Sequence, residues 1–335
     1  MLEEFKKYLV EHCGCSLNKK FLLTLSGGID SVVMTHLFHQ AGIDFGIAHC
    51  NFGLREEESD ADQLFVENLA RKTGKPLHLV RFNTLAYAGE HGLSVQMAAR
   101  ELRYKWFREI AEKHNFNFIA IAHNQNDVVE TVLINFARGT GIRGLTGINP
   151  RVDNIIRPLL FASRRNIVHY AEVEQLAWRE DSSNAQTKYI RNRIRHEIIP
   201  EFVIINPSFL TNAIDTIGRL GQTEQLVDYL MDNIKKEVYS EVRGKALIDM
   251  EKLKQYPATE TLLYELLRPF GCNQRNISSI TDSFGSIPGK RIITRTHTIT
   301  RDRSQLIITE NTIPDHTEIL IESGTASINS PLQLI

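Results

Sequence analysis

Cysteine is scarce in this 335-residue chain: Cys13, Cys15, Cys50 and Cys272 are the only four. They are too scattered for a disulfide framework. Cys13-Gly14-Cys15 is one residue short of a CxxC, and no second pair completes a zinc or iron–sulfur site, so reduced structural thiols are expected. Long apolar runs are missing too, which argues against a membrane span or a membrane partner. The opening MLEEFKKYLVEHC patterns as an amphipathic helix, without the basic start, apolar core and small-residue cleavage site of a secretion signal. A cytoplasmic location is the resulting expectation. A net charge of -1 supplies no global field that announces a nucleic-acid partner, although a basic stripe on a neutral protein can still serve one. Internal repeats and low-complexity tracts are also lacking.

What is present is an alternation. Apolar, β-prone runs at 21–26, 44–49, 76–82 and 118–123 are separated by helical patterns at about 30–41, 58–73, 95–114 and 126–138. Strands alternating with amphipathic helices predict βαβ units, hence an α/β fold with a parallel sheet flanked by helices. Ligands of such sheets bind beyond the carboxyl ends of the strands. Three polar or glycine-rich segments fall there: Ser26–Ser31, His49–Arg55 and His123–Asp127. After residue 150 the alternation stops. Helical patterns at 163–178 and 207–240, a helix near 258–268 and a strand pair at 290–300 and 304–310 predict a helical linker and a small α+β domain. The expected boundaries are 1–212, 213–310 and 311–335.

The segment Ser26-Gly27-Gly28-Ile29-Asp30-Ser31 has no lysine and is not the loop of ordinary nucleotide hydrolases. It still has the ingredients of anion binding: glycines that let the backbone approach, hydroxyl donors, and a following helix N-terminus. Asp30 repels phosphate unless a divalent cation bridges the two, so Mg2+ at Asp30 is expected if the loop holds phosphates. Taken alone, the same residues also describe a Gly-Gly turn with Asp30 or Ser31 capping a helix. A second glycine-rich stretch, GSIPGKR at 285–291, lacks the hydroxyl residue after Lys290 and reads as a turn entering a strand.

All five fixed positions of SGGxDS are filled, and the hexapeptide resembles the pyrophosphate (PP) loop of N-type ATP pyrophosphatases, with their adenine nucleotide alpha hydrolase-like fold. Further segments resemble one branch of that group in order: HCNFGLREEESDAD (49–62), SVQMAARELRYKWF (94–107), AHNQNDVVETVLINFARGTGIRGLTGI (122–148), RPLL (157–160), WREDSSN (178–184) and RNRIRHEIIP (191–200). These are similar to the tRNA(Ile)-lysidine synthetases over about the first 210 residues. Cys50 and Phe52 depart from the pattern, standing where relatives often carry Val and a second His.

The resemblance implies a ligase in the tRNA-modification class. ATP adenylates the wobble cytidine of a CAU-anticodon tRNA(Ile), and the ε-amine of free L-lysine then displaces AMP to leave lysidine. AUA is then read as isoleucine. ATP and Mg2+ meet Ser26, Gly27, Gly28, Ile29, Asp30 and Ser31, with His49, Arg100, Arg103 and His123 as further ATP contacts. Asp127 and Glu130, i and i+3 on one helix face, suit the lysine ammonium and its proton. Acidic residues in a first helical turn also satisfy the helix dipole without any ligand.

Lys188, Arg191, Asn192, Arg193 and Arg195, with Tyr189 interleaved, are expected to meet tRNA. Arg191 and Arg195 share a helical face and are placed to contact phosphate or the AMP leaving group. Asp30, Asp127, Glu130 and Arg195 form the expected catalytic set, and a homodimer is implied. Weaker tRNA-backbone candidates are Lys235, Lys236, Arg243 and Lys245. Residues 311–335 resemble the opening of a further C-terminal domain, so a truncated end is one expectation. A tRNA thiolase on the same scaffold and a tRNA-binding protein with an inactive nucleotide site are the rivals.

Overall fold

The computed structural model describes residues 1–54, 56–180, 190–282 and 289–311. They form two compact units, Met1–Glu224 and a second from Gln225 onward. The division falls inside one long helix.

The first unit opens with α1 (Leu2–Glu11), whose Phe5 and Leu9 are fully buried, then β1 (Phe21–Thr24) and α2 (Ile29–Gln40). There follow β2 (Phe45–Asn51), α3 (Glu56–Thr73), β3 (Leu77–Arg81), α4 (Thr84–His91), α5 (Val95–Lys113), β4 (Phe118–Ala120) and α6 (Gln125–Arg138). The short α7 (Ile142–Leu145) leads to β5 (Arg151–Val152), β6 (Ile155–Ile156) and α8 (Arg164–Val173). The sheet order is β3-β2-β1-β4-β6-β5. All neighbours run parallel except the β5–β6 edge pair. Both faces of β1 are covered because successive side chains point to opposite faces. Phe21 and Leu23 join a core with Phe5, Phe38, Phe45 and Ile47, while Leu22 packs with Phe107, Ala111 and Ile119. Near-continuous apolar strands are the sequence form of a sheet buried on both sides.

The expected strands and helices of the alternating half all form. Two boundaries differ in informative ways. The strand expected to end at His49 continues to Asn51, which buries His49 inside it. The helix expected over 163–178 stops at Val173 because Gln175 takes a left-handed φ of 52° and Trp178 turns back onto the core. The helix α4 is not among the expected elements; its ends are set by an Asn83 side chain that accepts from the Ala86 N–H and by Gly92 in a left-handed cap.

After residue 189 come α9 (Ile190–Arg193), a π-helical turn (Ile194–Ile198), α10 (Ile199–Ile205) and α11 (Phe209–Val238). The second unit adds β7 (Tyr239–Val242), β8 (Lys245–Asp249), α12 (Met250–Leu253), α13 (Thr259–Leu267), α14 (Gln274–Asp282), β9 (Arg291–Ile293), β10 (His297–Asp302) and β11 (Gln305–Glu310). Its antiparallel sheet has the order β7-β8-β11-β10-β9. Ile248, Ile299, Leu306 and Ile308 face Leu253, Leu263, Leu267 and Ile277 in a separate core.

The expected strand pair is thus part of a five-stranded sheet. The run 290–300 is broken between β9 and β10 by a turn in which Thr294 Oγ1 ties to Phe270 and His297 carbonyls. The β7–β8 hairpin escapes the sequence pattern because Arg243 and Gly244, both with positive φ, make its turn, and arginine is a poor signal for that geometry. Lys290 donates to the Ser279 carbonyl at 2.7 Å and supports the sheet edge; residues 285–288 of the GSIPGKR stretch lie outside the described residues. So do Lys188, Tyr189 and all but Asn311 of the expected third segment. No described helix is long and apolar enough to cross a membrane.

Candidate active site at the carboxyl ends of the parallel strands

The loop after β1 leaves the strand at Leu25 and enters α2 through Gly28. Gly27 has a φ of +94°, a conformation that L side chains rarely adopt, and a Cβ there would lie 3.5 Å from the Phe65 ring. The two serines lock the turn. Ser31 Oγ donates to the Gly28 carbonyl at 2.8 Å and accepts from the Ser26 N–H at 3.2 Å. Ser26 Oγ and Ser31 Oγ are also 3.2 Å apart. The conformation is therefore preorganised without a ligand. The Arg179 N–H donates to the Gly27 carbonyl at 3.0 Å, and the Arg179 side chain pairs with Asp62 of α3. Segments of the two motifs at 49–62 and 178–184 thus brace the loop.

His49 lies beneath it. Nδ1 donates to the Leu25 carbonyl at 2.8 Å, and buried Nε2 has no partner. Burial lowers its pKa, so the ring is neutral with Nε2 as an unmet acceptor. Being 5% exposed, His49 supports the loop backbone; the expected direct contact with ATP does not suit that burial.

The helix α6 begins with a reciprocal capping box. Asn124 Oδ1 accepts from the Asp127 N–H at 3.2 Å, and Asp127 Oδ2 accepts from the Asn124 N–H at 2.9 Å. Asn124 Nδ2 then reaches across to Asp30 Oδ1 at 3.0 Å, linking α6 to the loop helix. The other Asp30 oxygen accepts from Arg164 at the start of α8. Burial raises the Asp30 pKa above its ordinary value, and nearby Asp127 adds to this; Arg164 and Asn124 oppose it.

Asp127 and Glu130 do converge, as their spacing predicts, but two arginines already occupy them. Arg195 Nε donates to Glu130 Oε1 at 2.6 Å, and its Nη2 reaches Glu130 Oε2 at 3.0 Å and Asp127 Oδ1 at 3.3 Å. Arg191 Nε donates to Glu130 Oε2 at 2.9 Å, with Nη2 on Thr131 Oγ1 at 3.1 Å. From the sequence the acids are assigned to lysine and the arginines to tRNA; the structure joins them in one cluster. The Glu130 side chain is 1% exposed and that of Asp127 13%. The expected direct lysine contact at Glu130 does not suit that burial, whereas the Asp127 carboxylate is the more exposed of the two. Asp30, Asp127 and Glu130 face Arg164, Arg191 and Arg195, a balanced network of three carboxylates and three guanidiniums.

The remaining expected residues are distributed around this network. His123 Nδ1 is buried without a partner, and its pKa falls to about 4, mainly by burial. Arg100 lies over the Tyr104 ring at 4.9 Å and Arg103 over Phe52 at 5.1 Å, neither with a carboxylate partner among the described residues. Phe52 thus has a packing role, stacking also on Phe82. Arg193 pairs with Glu197 along its own helix at 3.3 Å and stays outside the cluster. Asn192 sits half-buried on α9. Cys50 is half-buried with its thiol pushed up to about 12. Arg164 and Asn124 are missed by sequence reasoning; the only cue to Asn124 is its capping-box position, three residues before Asp127.

Mg2+ is held by one or two carboxylates together with substrate phosphates, rather than by an all-protein cage. Asp30, at the mouth of a preformed glycine loop, fits that donor pattern.

Comparisons with known proteins identify the fold and the family. Residues 1–202 match the family model described as PP-loop domain, and residues 241–311 match the TilS substrate binding domain. A tRNA(Ile)-lysidine synthase of Bacteroides thetaiotaomicron is 41% identical over 291 residues, covering 86% of this chain and 67% of that protein. One from Parabacteroides distasonis is 36% identical over 334 residues, covering 100% and 76%. Against a Porphyromonas gingivalis relative at 38% identity the chain spans 63% of the length. The solved structure of a U34-tRNA thiolase from Methanococcus maripaludis shares the fold, with a TM-score of 0.54, 20% identity, and coverage of 65% of this chain and 77% of that one. The chain therefore belongs to the tRNA(Ile)-lysidine synthase family and is an enzyme built on an ATP-using PP-loop domain.

Proposed function

We propose that this enzyme ligates free L-lysine to the wobble cytidine of the CAU anticodon of tRNA(Ile), using ATP and passing through an adenylated cytidine. The products are lysidine, AMP and pyrophosphate, and AUA is thereby read as isoleucine. The observation that carries the reading is the three-carboxylate, three-guanidinium network at the mouth of the locked glycine loop, in a chain similar over most of its length to tRNA(Ile)-lysidine synthases.

The residues divide the work between them. The backbone N–H groups of Gly27 and Gly28 and the Ser26 hydroxyl receive phosphate oxygens, with the α2 N-terminus behind them. Asp30 is the carboxylate that holds Mg2+, whose chemistry is to neutralise the departing pyrophosphate. Arg100 and Arg103, lacking carboxylate partners among the described residues, meet nucleotide or RNA phosphates. Asp127 receives the lysine ammonium at its exposed edge and takes a proton from it, since only the neutral amine attacks. Glu130 acts through Arg191 and Arg195, fixing their guanidinium planes toward the AMP leaving group and the anticodon. The second unit and Lys188 extend the tRNA contact, and a cytoplasmic homodimer is part of the same proposal.

The thiolase reading needs a reactive sulfur near the site. Cys50 is the nearest candidate by position in the strand, and its raised pKa opposes thiolate formation. A tRNA-binding protein without catalysis would have no use for a preorganised loop. One assay separates the three: incubate the protein with Mg-ATP, labelled lysine and a CAU-anticodon tRNA(Ile) transcript. Lysine-dependent label in RNA with stoichiometric pyrophosphate supports the proposal. Unlabelled RNA would sink it, sulfur incorporation would favour the thiolase, and RNA binding without pyrophosphate release would favour the inactive binder.

A further inference from the structure

Both oxygens of Asp30 are engaged in this structure. Oδ1 accepts from Asn124 Nδ2 at 3.0 Å, and Oδ2 accepts from Arg164. Arg164 is the first residue of α8, a helix capped by Ser163. Its own N–H donates to Asn126 Oδ1 at 3.0 Å. The backbone is thus pinned to the first turn of α6, while the side chain is 47% exposed and reaches over to Asp30. A fixed stem with a long, solvent-reachable head can exchange partners without moving the fold.

Repulsion between like charges governs how this pair responds to a metal. A divalent cation and a guanidinium cannot share one carboxylate oxygen at contact distance, because their repulsion opposes the gain each makes with the carboxylate. Metal entry at Asp30 therefore displaces Arg164. The displaced guanidinium finds no vacancy on Glu130, which already holds Arg191 and Arg195, and Asp127 is shared with Arg195, its exposed edge being the one assigned above to lysine. The negative charge left within reach is that of the phosphates in the loop, and a planar fork suits paired phosphate oxygens.

We infer that Arg164 is a two-position latch: it holds Asp30 before metal binds and transfers to the pyrophosphate portion of the nucleotide when metal arrives. This rests on the proposed metal role of Asp30. It adds a positioning residue that couples the order of metal and nucleotide binding, so that the loop gains its full cationic complement only after the metal has entered.

The test uses the whole chain, manganese as the metal probe read by electron paramagnetic resonance, and inorganic pyrophosphate read by calorimetry. In Arg164→Ala, manganese alone is expected to bind about fivefold tighter, since nothing competes for Asp30. Pyrophosphate at saturating manganese is expected to bind roughly tenfold weaker, the scale of one lost charge-assisted hydrogen-bond pair. Arg164→Lys keeps the charge and the competition but loses the fork. It should bind manganese like wild type and pyrophosphate with intermediate affinity, which also covers the case of an unstable alanine variant. Manganese affinity unchanged or weaker in Arg164→Ala, or pyrophosphate affinity unchanged, overturns the latch. Asp30→Asn separates the two levels: if it binds manganese as wild type does, the metal role of Asp30 has failed and the latch with it. If Asp30→Asn loses manganese while Arg164→Ala changes neither affinity, the latch alone has failed.

Discussion

Glu130 and Asp127 show how one turn of helix gives two similar carboxylates different surroundings. Glu130 is sealed from solvent and takes three of the described guanidinium hydrogen bonds. Removing one member of a buried ion pair costs about 3 to 5 kcal/mol, because the partner charge is left uncompensated. Glu130→Gln is therefore expected to lower stability by about 3 kcal/mol in denaturant unfolding and to slow both half-reactions. Asp127→Asn, at the open edge, should leave ATP-dependent pyrophosphate release largely intact, raise the KM for lysine about tenfold, the value of one charged contact, and slow lysine transfer by about 100-fold or more through loss of the base. Equal loss of both half-reactions in Asp127→Asn would contradict the division. His123 makes a separate point about pH. Its native pKa near 4 lies below the unfolded value of 6.5, because burial disfavours the imidazolium more than Asp127 restores it. The native state keeps the ring neutral, so this contribution to stability is intact above pH 6.5 and is lost as pH falls toward 4. Unfolding midpoints of His123→Gln should depend less on pH than wild type across that window; parallel curves would refute the assignment.

At the level of elements, α6 carries the most consequence. Its capping box fixes the helix start, and the same Asn124 side chain tethers Asp30. Asn124→Ala should cost about 1 kcal/mol as a lost cap, measured by urea unfolding. It should also weaken ATP binding in calorimetry, because Asp30 loses an orienting donor; loss of stability with unchanged ATP affinity would show the tether to be idle. The i, i+4 spacing of Arg191 and Arg195 is legible in the sequence, and both side chains do reach the same carboxylate. The π-helical turn that holds Arg195 is not legible. An extra residue per turn is set by what the side chains must reach, here Glu130 of a helix 65 residues away in sequence. The β7–β8 hairpin is hidden for a more local reason, an arginine in a left-handed turn position.

Across the whole molecule, two cores form independently readable patterns: continuous apolar strands in the first unit and alternating ones in the second. Periodicity and motif order determined the α/β class, the loop after β1, Asp30, and the pairing of Asp127 with Glu130, because each is encoded within a few residues of chain. Which cation meets which carboxylate was decided only by tertiary structure. Arg164 lies 134 residues from Asp30 and Asn124 lies 94, and no local propensity records such a pairing. Charge pairing selects it: each buried carboxylate must find a partner when the chain closes. The partners it finds within the chain are the guanidiniums of Arg164, Arg191 and Arg195.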